Sequence, residues 1–434
     1  MLKKITDILR NQMAGNAYKI VEQKIESAEL FFIKKELDMN RSKKVHHFDV
    51  TVYKDFAENG VQYKGSATTK IYPTLTETEI RTALDEAALA AGFVKNKYYP
   101  LVKPAVLKGA VQESMFAQKK LTEWLPELTI SLFQADTNDR GGLNSAELFL
   151  NQIQTRIVTS EGIDLTRENY RGELEFIVNW KEESEEVELY KEIFFADFDP
   201  SLLTGNVARM LTYSKEKALA TATPALKKQT VLLTGEPVRE LLNFYYVQSA
   251  AQSVYEETST ISPGELIQGQ DVKGDLVTLR LDPFLNNSTR STPFDQEGWP
   301  LETVTIFEAG KLMRYWGDNR YSYYLNVAPT GNIGNLVFGG GTRSLQKSKE
   351  NPYLELVAFS DFQLDSLTGD FAGEIRLGWY FDGSKTVPVT GGSISGNIKE
   401  VQQEMYFSQE LQQENNFVGP QTIQLFNVSV AGQD

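Results

Sequence analysis

Three groups of residues have types and spacings that could do chemistry. Asp136-Thr137-Asn138-Asp139-Arg140-Gly141, with Glu147 at the twelfth position, approaches a calcium loop at positions one, three, six and twelve. Position five is Arg140, a cation where an oxygen ligand is required, and residues 128–134 before it alternate like a strand. A polar hairpin loop is therefore the expectation. Asp295 and Glu297 are two apart and could share a strand face as the acid/base pair of a hydrolase. Pro293, Gly298 and Pro300 around them suit a shaped loop equally well. Gly339-Gly340-Gly341-Thr342-Arg343 lacks the Gly-Lys-Ser/Thr ending of a phosphate loop and reads as a turn.

Composition narrows the chemistry further. The chain has two histidines and no cysteine, which excludes disulfides, iron–sulfur clusters, Cys-type zinc sites and a thiol nucleophile. His46 and His47 are neighbours in a strand-like run, so their side chains point to opposite faces and cannot converge on one metal; surface or edge positions are expected. A metal held within the chain would need oxygen ligands. Forty-four Lys plus Arg against 58 Asp plus Glu leave a net charge of −14, which argues against gripping nucleic-acid phosphates. At 434 residues and 41% hydrophobic, two or three globular domains are expected. No run of 18 apolar residues occurs, so the expectation is a soluble, cytoplasmic chain without a membrane span.

These residues need elements to position them. Ile5, Ile8, Leu9, Ile20, Val21 and Ile25 recur at near-helical spacing, broken around Gly15, and predict a helical opening in one or two pieces. β-like runs follow at 28–37, 45–56 and 61–72, the last two joined by the hairpin signal Glu58-Asn59-Gly60. Thr74 and Glu77 have capping-box spacing for a second helix that Gly92 ends. Strands are expected at 129–135, 146–160 and 173–181, an acidic solvated turn at 182–186 and a helix over 206–223. Beyond Pro224, strand-like runs dominate, with helix periodicity only at 238–251 and 398–411. The fold expected is α+β: an N-terminal α-β-β-β-α unit (1–105), a strand-rich segment with an exit helix (106–223), and a predominantly β C-terminal domain (224–434).

The segment Asn286-Asn287-Ser288-Thr289-Arg290-Ser291-Thr292-Pro293-Phe294-Asp295-Gln296-Glu297-Gly298-Trp299-Pro300, followed by Ile306-Phe307-Glu308-Ala309-Gly310-Lys311-Leu312, resembles the TldD/PmbA family, also labelled modulators of DNA gyrase. Thr159-Ser160-Glu161-Gly162, Thr330-Gly331-Asn332, Thr368-Gly369-Asp370-Phe371, Pro388-Val389 and Ile394-Ser395-Gly396-Asn397 keep the family order, so the resemblance spans nearly the whole chain. It implies one of two kinds of subunit. TldD-like chains carry His-Glu-x-x-x-His on a helix, binding a metal whose water the glutamate activates, with a cysteine completing the site. PmbA-like chains, also called TldE, lack it. The two kinds pair into a metallopeptidase that degrades unfolded or extended peptides in an enclosed cavity.

The matching helix here reads Glu240-Leu241-Leu242-Asn243-Phe244-Tyr245-Tyr246-Val247-Gln248. Asn243 takes the first histidine position, Phe244 the glutamate position and Gln248 the second histidine position. An amide is a poor zinc ligand and a phenyl ring cannot deprotonate water. The expectation is packing by Leu241, Leu242, Tyr245, Tyr246 and Ala250, with Asn243 and Gln248 satisfied locally or by solvent, on a helix that still borders the inherited cavity. The resemblance thus implies a non-catalytic PmbA/TldE-like subunit with no cofactor of its own, zinc being held by a TldD-like partner, and an extended peptide as substrate. The alternatives are a homodimeric peptide-binding protein without hydrolytic activity, and a hydrolase built on Asp295 and Glu297.

Overall fold

The computed structural model describes residues 1–12, 15–182 and 186–432. Residues 183–185 of the acidic run expected as a turn lie outside them. The fold is α+β. Helix α1 (Leu2–Gln12) is followed by strands β1 (Ala17–Ile33), β2 (Glu36–Glu58) and β3 (Val61–Ile71), and by helix α2 (Glu77–Ala91). Helix α3 (Leu121–Phe133), strands β4 (Gly141–Thr159), β5 (Asp164–Lys181) and β6 (Glu186–Phe195), and helix α4 (Pro200–Ala218) come next. All six strands form one antiparallel sheet in the order β3-β2-β1-β4-β5-β6. Because β1 pairs with β4 from Lys19 to Ile33, residues 1–105 and 106–223 share this sheet. One end carries α1 and α2 over a core of Ile5, Ile20, Val50, Ile80 and Leu84. The other end packs α3 and α4 over Leu148, Leu174, Phe176 and Val207.

In the C-terminal half, β7 (Thr221–Ala222) and β8 (Lys228–Thr234) lead to helix α5 (Glu236–Gln248). Strands Tyr353–Leu364, β8, Thr422–Ala431, Ser393–Asn397 and Asp370–Phe381 are neighbours in that order, and Asp370–Phe381 pairs back onto Tyr353–Leu364, closing the ring. A second six-stranded sheet runs from Lys311–Leu312 to Leu411–Glu414. One apolar core joins α5 to both sheets through Val231, Leu242, Ile306, Leu354 and Ile423.

Several expectations give way to tertiary packing. Ile20, Val21 and Ile25 lie in β1, not a helix, because β1 is paired along both edges. Residues 129–133, expected as strand, end α3: Trp124, Leu128 and Leu132 recur every four residues and bury one helical stripe. The Asp136 turn therefore joins a helix to β4 and is not a hairpin. Its carboxylate accepts from Leu143 N at 3.2 Å, and Lys35 Nζ donates to the Asp136 carbonyl at 2.6 Å. The α2 capping box uses Thr76 and Glu79, two residues later than the spacing at Thr74 suggested. The helix expected over 398–411 stops after Ile398–Val401 and a short 3-10 turn, because Phe407 is buried opposite Ile423 in a strand pair. His47 is 8% exposed on a central strand, so it is not a surface histidine.

Candidate functional site

Strand β8 turns into α5 through Gly235, whose φ of +79° is open to glycine at little cost. Pro237 in the first helical turn needs no N–H partner there. Leu241, Leu242 and Tyr245 are fully buried, each leucine contributing about 1.5–3 kcal/mol against the core. The Tyr245 hydroxyl donates to Gln402 Oε1 at 3.1 Å, and burial pushes this phenol well above its ordinary range. Tyr246 stacks on Trp316 with centroids 4.1 Å apart and planes 10° apart. It also donates to the Ile333 carbonyl, while Trp316 Nε1 returns a bond to the Tyr246 carbonyl at 2.7 Å. The helix cannot rotate without breaking these bonds.

The three positions aligned with the metal motif separate. Phe244 and Gln248 are one helical turn apart and line a single open cleft of ≈ 880 Å³, shared with Glu265, Lys311, Lys399 and Gln402. Asn243 sits about 100° round the helix and is not among the residues lining this cleft. Gln248 Nε2 donates to the Ser366 carbonyl at 2.6 Å, in the turn that carries Thr368-Gly369-Asp370. A phenyl ring and an amide already bonded to backbone make a poor zinc site. Among the described residues, the acidic and imidazole side chains close enough to share an ion are Glu173, Glu175 and Glu192, on β5 and β6.

The Asn286–Pro300 segment is a latch between the two halves. Phe294 is buried against Val102, Ile157 and Ile163. The Arg167 guanidinium lies 5.3 Å from the Phe294 ring centroid, donates to its carbonyl at 3.0 Å and also bonds Thr292 Oγ1. Asp295 is 3% exposed: Oδ1 accepts from Glu297 N at 2.8 Å and Trp299 N at 2.9 Å, and Oδ2 from Asn332 N at 3.2 Å. Burial raises its pKa, partly offset by these three N–H groups. Gly298 has φ +82°, and an added Cβ would meet Ile163 at 3.0 Å. Glu297 points elsewhere, pairing with Lys19 Nζ at 2.5 Å. Pro293 serves the same loop, its carbonyl accepting from Leu301 N at 3.0 Å. Neither Asp295 nor Glu297 lines the α5 cleft, and the Asp295 oxygens are engaged by backbone N–H groups of the loop and of Asn332. The geometry gives this pair a structural role.

Spacing had no means of finding Lys311, Lys399, Gln402 or the latch partners Lys19 and Arg167, because they come from separate elements. The short motifs do meet in space. Asn332 bonds Asp295, and Asn397 Nδ2 donates to Asp370 Oδ1 at 2.8 Å. Residues 226–432 match the family model for the PmbA/TldA metallopeptidase C-terminal domain. The C-terminal half of the chain is a TldD/PmbA-family domain.

The whole chain also shares its fold with solved structures. TldE from Thermococcus kodakarensis superposes with a TM-score of 0.81 at 17% identity, covering 99% of this chain and 100% of that one. A protein from Thermotoga maritima, provisionally described as a modulator of a DNA gyrase, gives 0.78 at 16% identity, covering 99% and 100%. An uncharacterized protein from Methanocaldococcus jannaschii is 23% identical over 208 residues, 45% of this chain and 49% of that one. The chain thus spans about half the length of the curated relative it matches. No helix among the described residues is long and apolar enough to cross a membrane.

Proposed function

We propose that this chain is the non-catalytic, TldE-like subunit of a TldD/PmbA-type metallopeptidase acting on unfolded or extended peptides in the cytoplasm. The observation that carries the reading is α5. The helix of the metal motif is present, rigidly packed and cleft-lining, but it holds Asn243, Phe244 and Gln248, with the Gln248 amide bonded to the Ser366 carbonyl. The chain's part is to complete the chamber around a TldD-like partner that holds zinc and to hold substrate along the α5 cleft. The fold shared with TldE supports this assignment.

The test is co-purification with a His-Glu-x-x-x-His homologue, with zinc measured per chain. Zinc is expected only in preparations that contain the homologue. Stoichiometric zinc in the isolated chain contradicts the reading.

A further inference from the structure

The first sheet is open along part of one edge. Strand β2 pairs with β1 from Glu36 to Tyr53, but β3 pairs with β2 only from Phe48 onward, where Ile71 ends it. Among the described residues no strand or isolated bridge takes the outer edge of Glu36–His47. At about 3.3 Å per residue this is roughly 40 Å of unpaired backbone. Every residue from Glu36 to Lys44 is exposed, and Ile33, Leu37 and Met39 place three large apolar side chains at the tip of the β1–β2 hairpin. Such an edge is a template for another strand, because its N–H and C=O groups lack partners.

The charges along this edge select the strand that fits. Arg41 and Lys43 are held by Glu29 on β1, at 2.5 and 2.9 Å, and Lys44 by Glu26 at 2.7 Å. Glu36 and Asp38 are in no ion pair among the described residues. We propose that this edge is an interface with a second copy of the chain, the two β2 strands running antiparallel about a two-fold axis at Asn40. An axis perpendicular to the sheet keeps each face continuous, so opposed residues are equally far from the residue on the axis. An axis at Asp38 or Arg41 would set a charge against itself, one at Met39 would set Lys35 against Lys43, and one at Ser42 would set Arg41 against Lys43. With Asn40 on the axis, Glu36 of each copy lies opposite Lys44 of the other. Two N–H groups of that ammonium are left over from its bond to Glu26. Asp38 lies opposite Ser42 and diagonal to Lys44, while Leu37 and Met39 meet the apolar stems of Lys43 and Arg41. Lys34, in the hairpin turn of the second copy, comes opposite His46, so that hairpin fills the gap that ends where Ile71 pairs with Phe48. The two six-stranded sheets become one. None of these residues lines the α5 cleft, and the interface does not rest on the reading of α5.

The chain has no cysteine, so single introduced cysteines report the register without background. Asn40→Cys is expected to form an intermolecular disulfide under mild oxidation, because directly opposed Cα atoms lie about 4.5–5.5 Å apart, within disulfide reach. Asp38→Cys alone and Ser42→Cys alone should not, since each would lie four residues along the edge from its own copy, about 13 Å. Mixed together, those two variants should cross-link. Light scattering of the intact chain should give the mass of a dimer. Glu36→Lys or Lys44→Glu should weaken association at least about tenfold, because two symmetry-related pairs turn repulsive at once. Both substitutions in one chain should restore it. Unchanged circular dichroism of the variants shows that the fold is kept. A monomeric mass at about 0.1 mM, cross-linking of Asn40→Cys no faster than of Asp38→Cys, or a double variant no tighter than the single ones overturns the proposal. Cross-linking of this edge only to an added His-Glu-x-x-x-His homologue carrying a cysteine overturns it too, by giving the edge to that partner. Zinc in the isolated chain bears on the reading of α5 and leaves this interface standing.

Discussion

Gln248 Nε2 lies 2.6 Å from the Ser366 carbonyl oxygen. The bond ties the last turn of α5 to the turn between strands Tyr353–Leu364 and Asp370–Phe381, so a position aligned with a metal ligand works instead as a structural clamp. The same amide reaches the Thr258 carbonyl at 3.5 Å, so the clamp also touches the chain leaving α5.

Gln248→Ala removes the donor from these partly buried carbonyls. It should lower stability by about 0.5–1.5 kcal/mol, the net worth of a hydrogen bond. Urea denaturation followed by tryptophan fluorescence measures this. A change below about 0.5 kcal/mol would mean that water replaces the amide without penalty.

Asp295→Ala removes three backbone-to-carboxylate bonds from the latch at once. A loss of about 2–4 kcal/mol is expected, because two freed N–H groups lie within the loop and the third, of Asn332, is what ties it to a separate segment. Gly298→Ala should cost about 1 kcal/mol or more through its positive φ and the approach to Ile163. Limited proteolysis near residue 295 should accelerate in both variants, while β1 to β6 stay protected from hydrogen exchange.

Glu29 supplies a pH signature. Its side chain is fully shielded from solvent, and burial opposes ionisation. Ion pairs with Lys43 and Arg41, at 2.9 and 2.5 Å, outweigh that and hold its carboxyl below the ordinary 4.5. A depressed folded-state pKa means that the stabilisation is present above about pH 4.5 and is lost as pH falls through the folded-state value. Glu29→Gln should therefore be destabilised relative to the native chain by roughly 1–3 kcal/mol at pH 7, with the gap closing below pH 4.5. A gap that is constant across this range would show that the pair contributes through packing alone.

The parts legible in sequence were those with local signals. The 3.6-residue stripe expected over 238–251 found α5 (Glu236–Gln248), and the Pro- and Gly-rich shape of the Asp295 segment offered a loop as one of two readings, because each signal is dictated by neighbouring residues. Residues 129–133 did not: Thr129 and Ile130 imitate a strand, and only packing of Trp124, Leu128 and Leu132 under the first sheet makes them helical. Ile398–Leu411 failed for the opposite reason, since a helical pattern was overruled by pairing of Phe407 with Ile423. The latch's cation was invisible because Lys19 and Glu297 are 278 residues apart and only the fold brings them together.

As the proposed TldE-like subunit, this chain contributes no metal and no catalysis of its own but is required by a partner that does. The most direct measurement is the rate of cleavage of an unfolded peptide by a zinc-loaded His-Glu-x-x-x-His homologue, by this chain, and by the two mixed at equal concentration. The account predicts no turnover by this chain with or without zinc, and turnover by the mixture well above that of the homologue alone. Zinc-dependent turnover by the isolated chain, or a mixture no faster than the homologue, would contradict it.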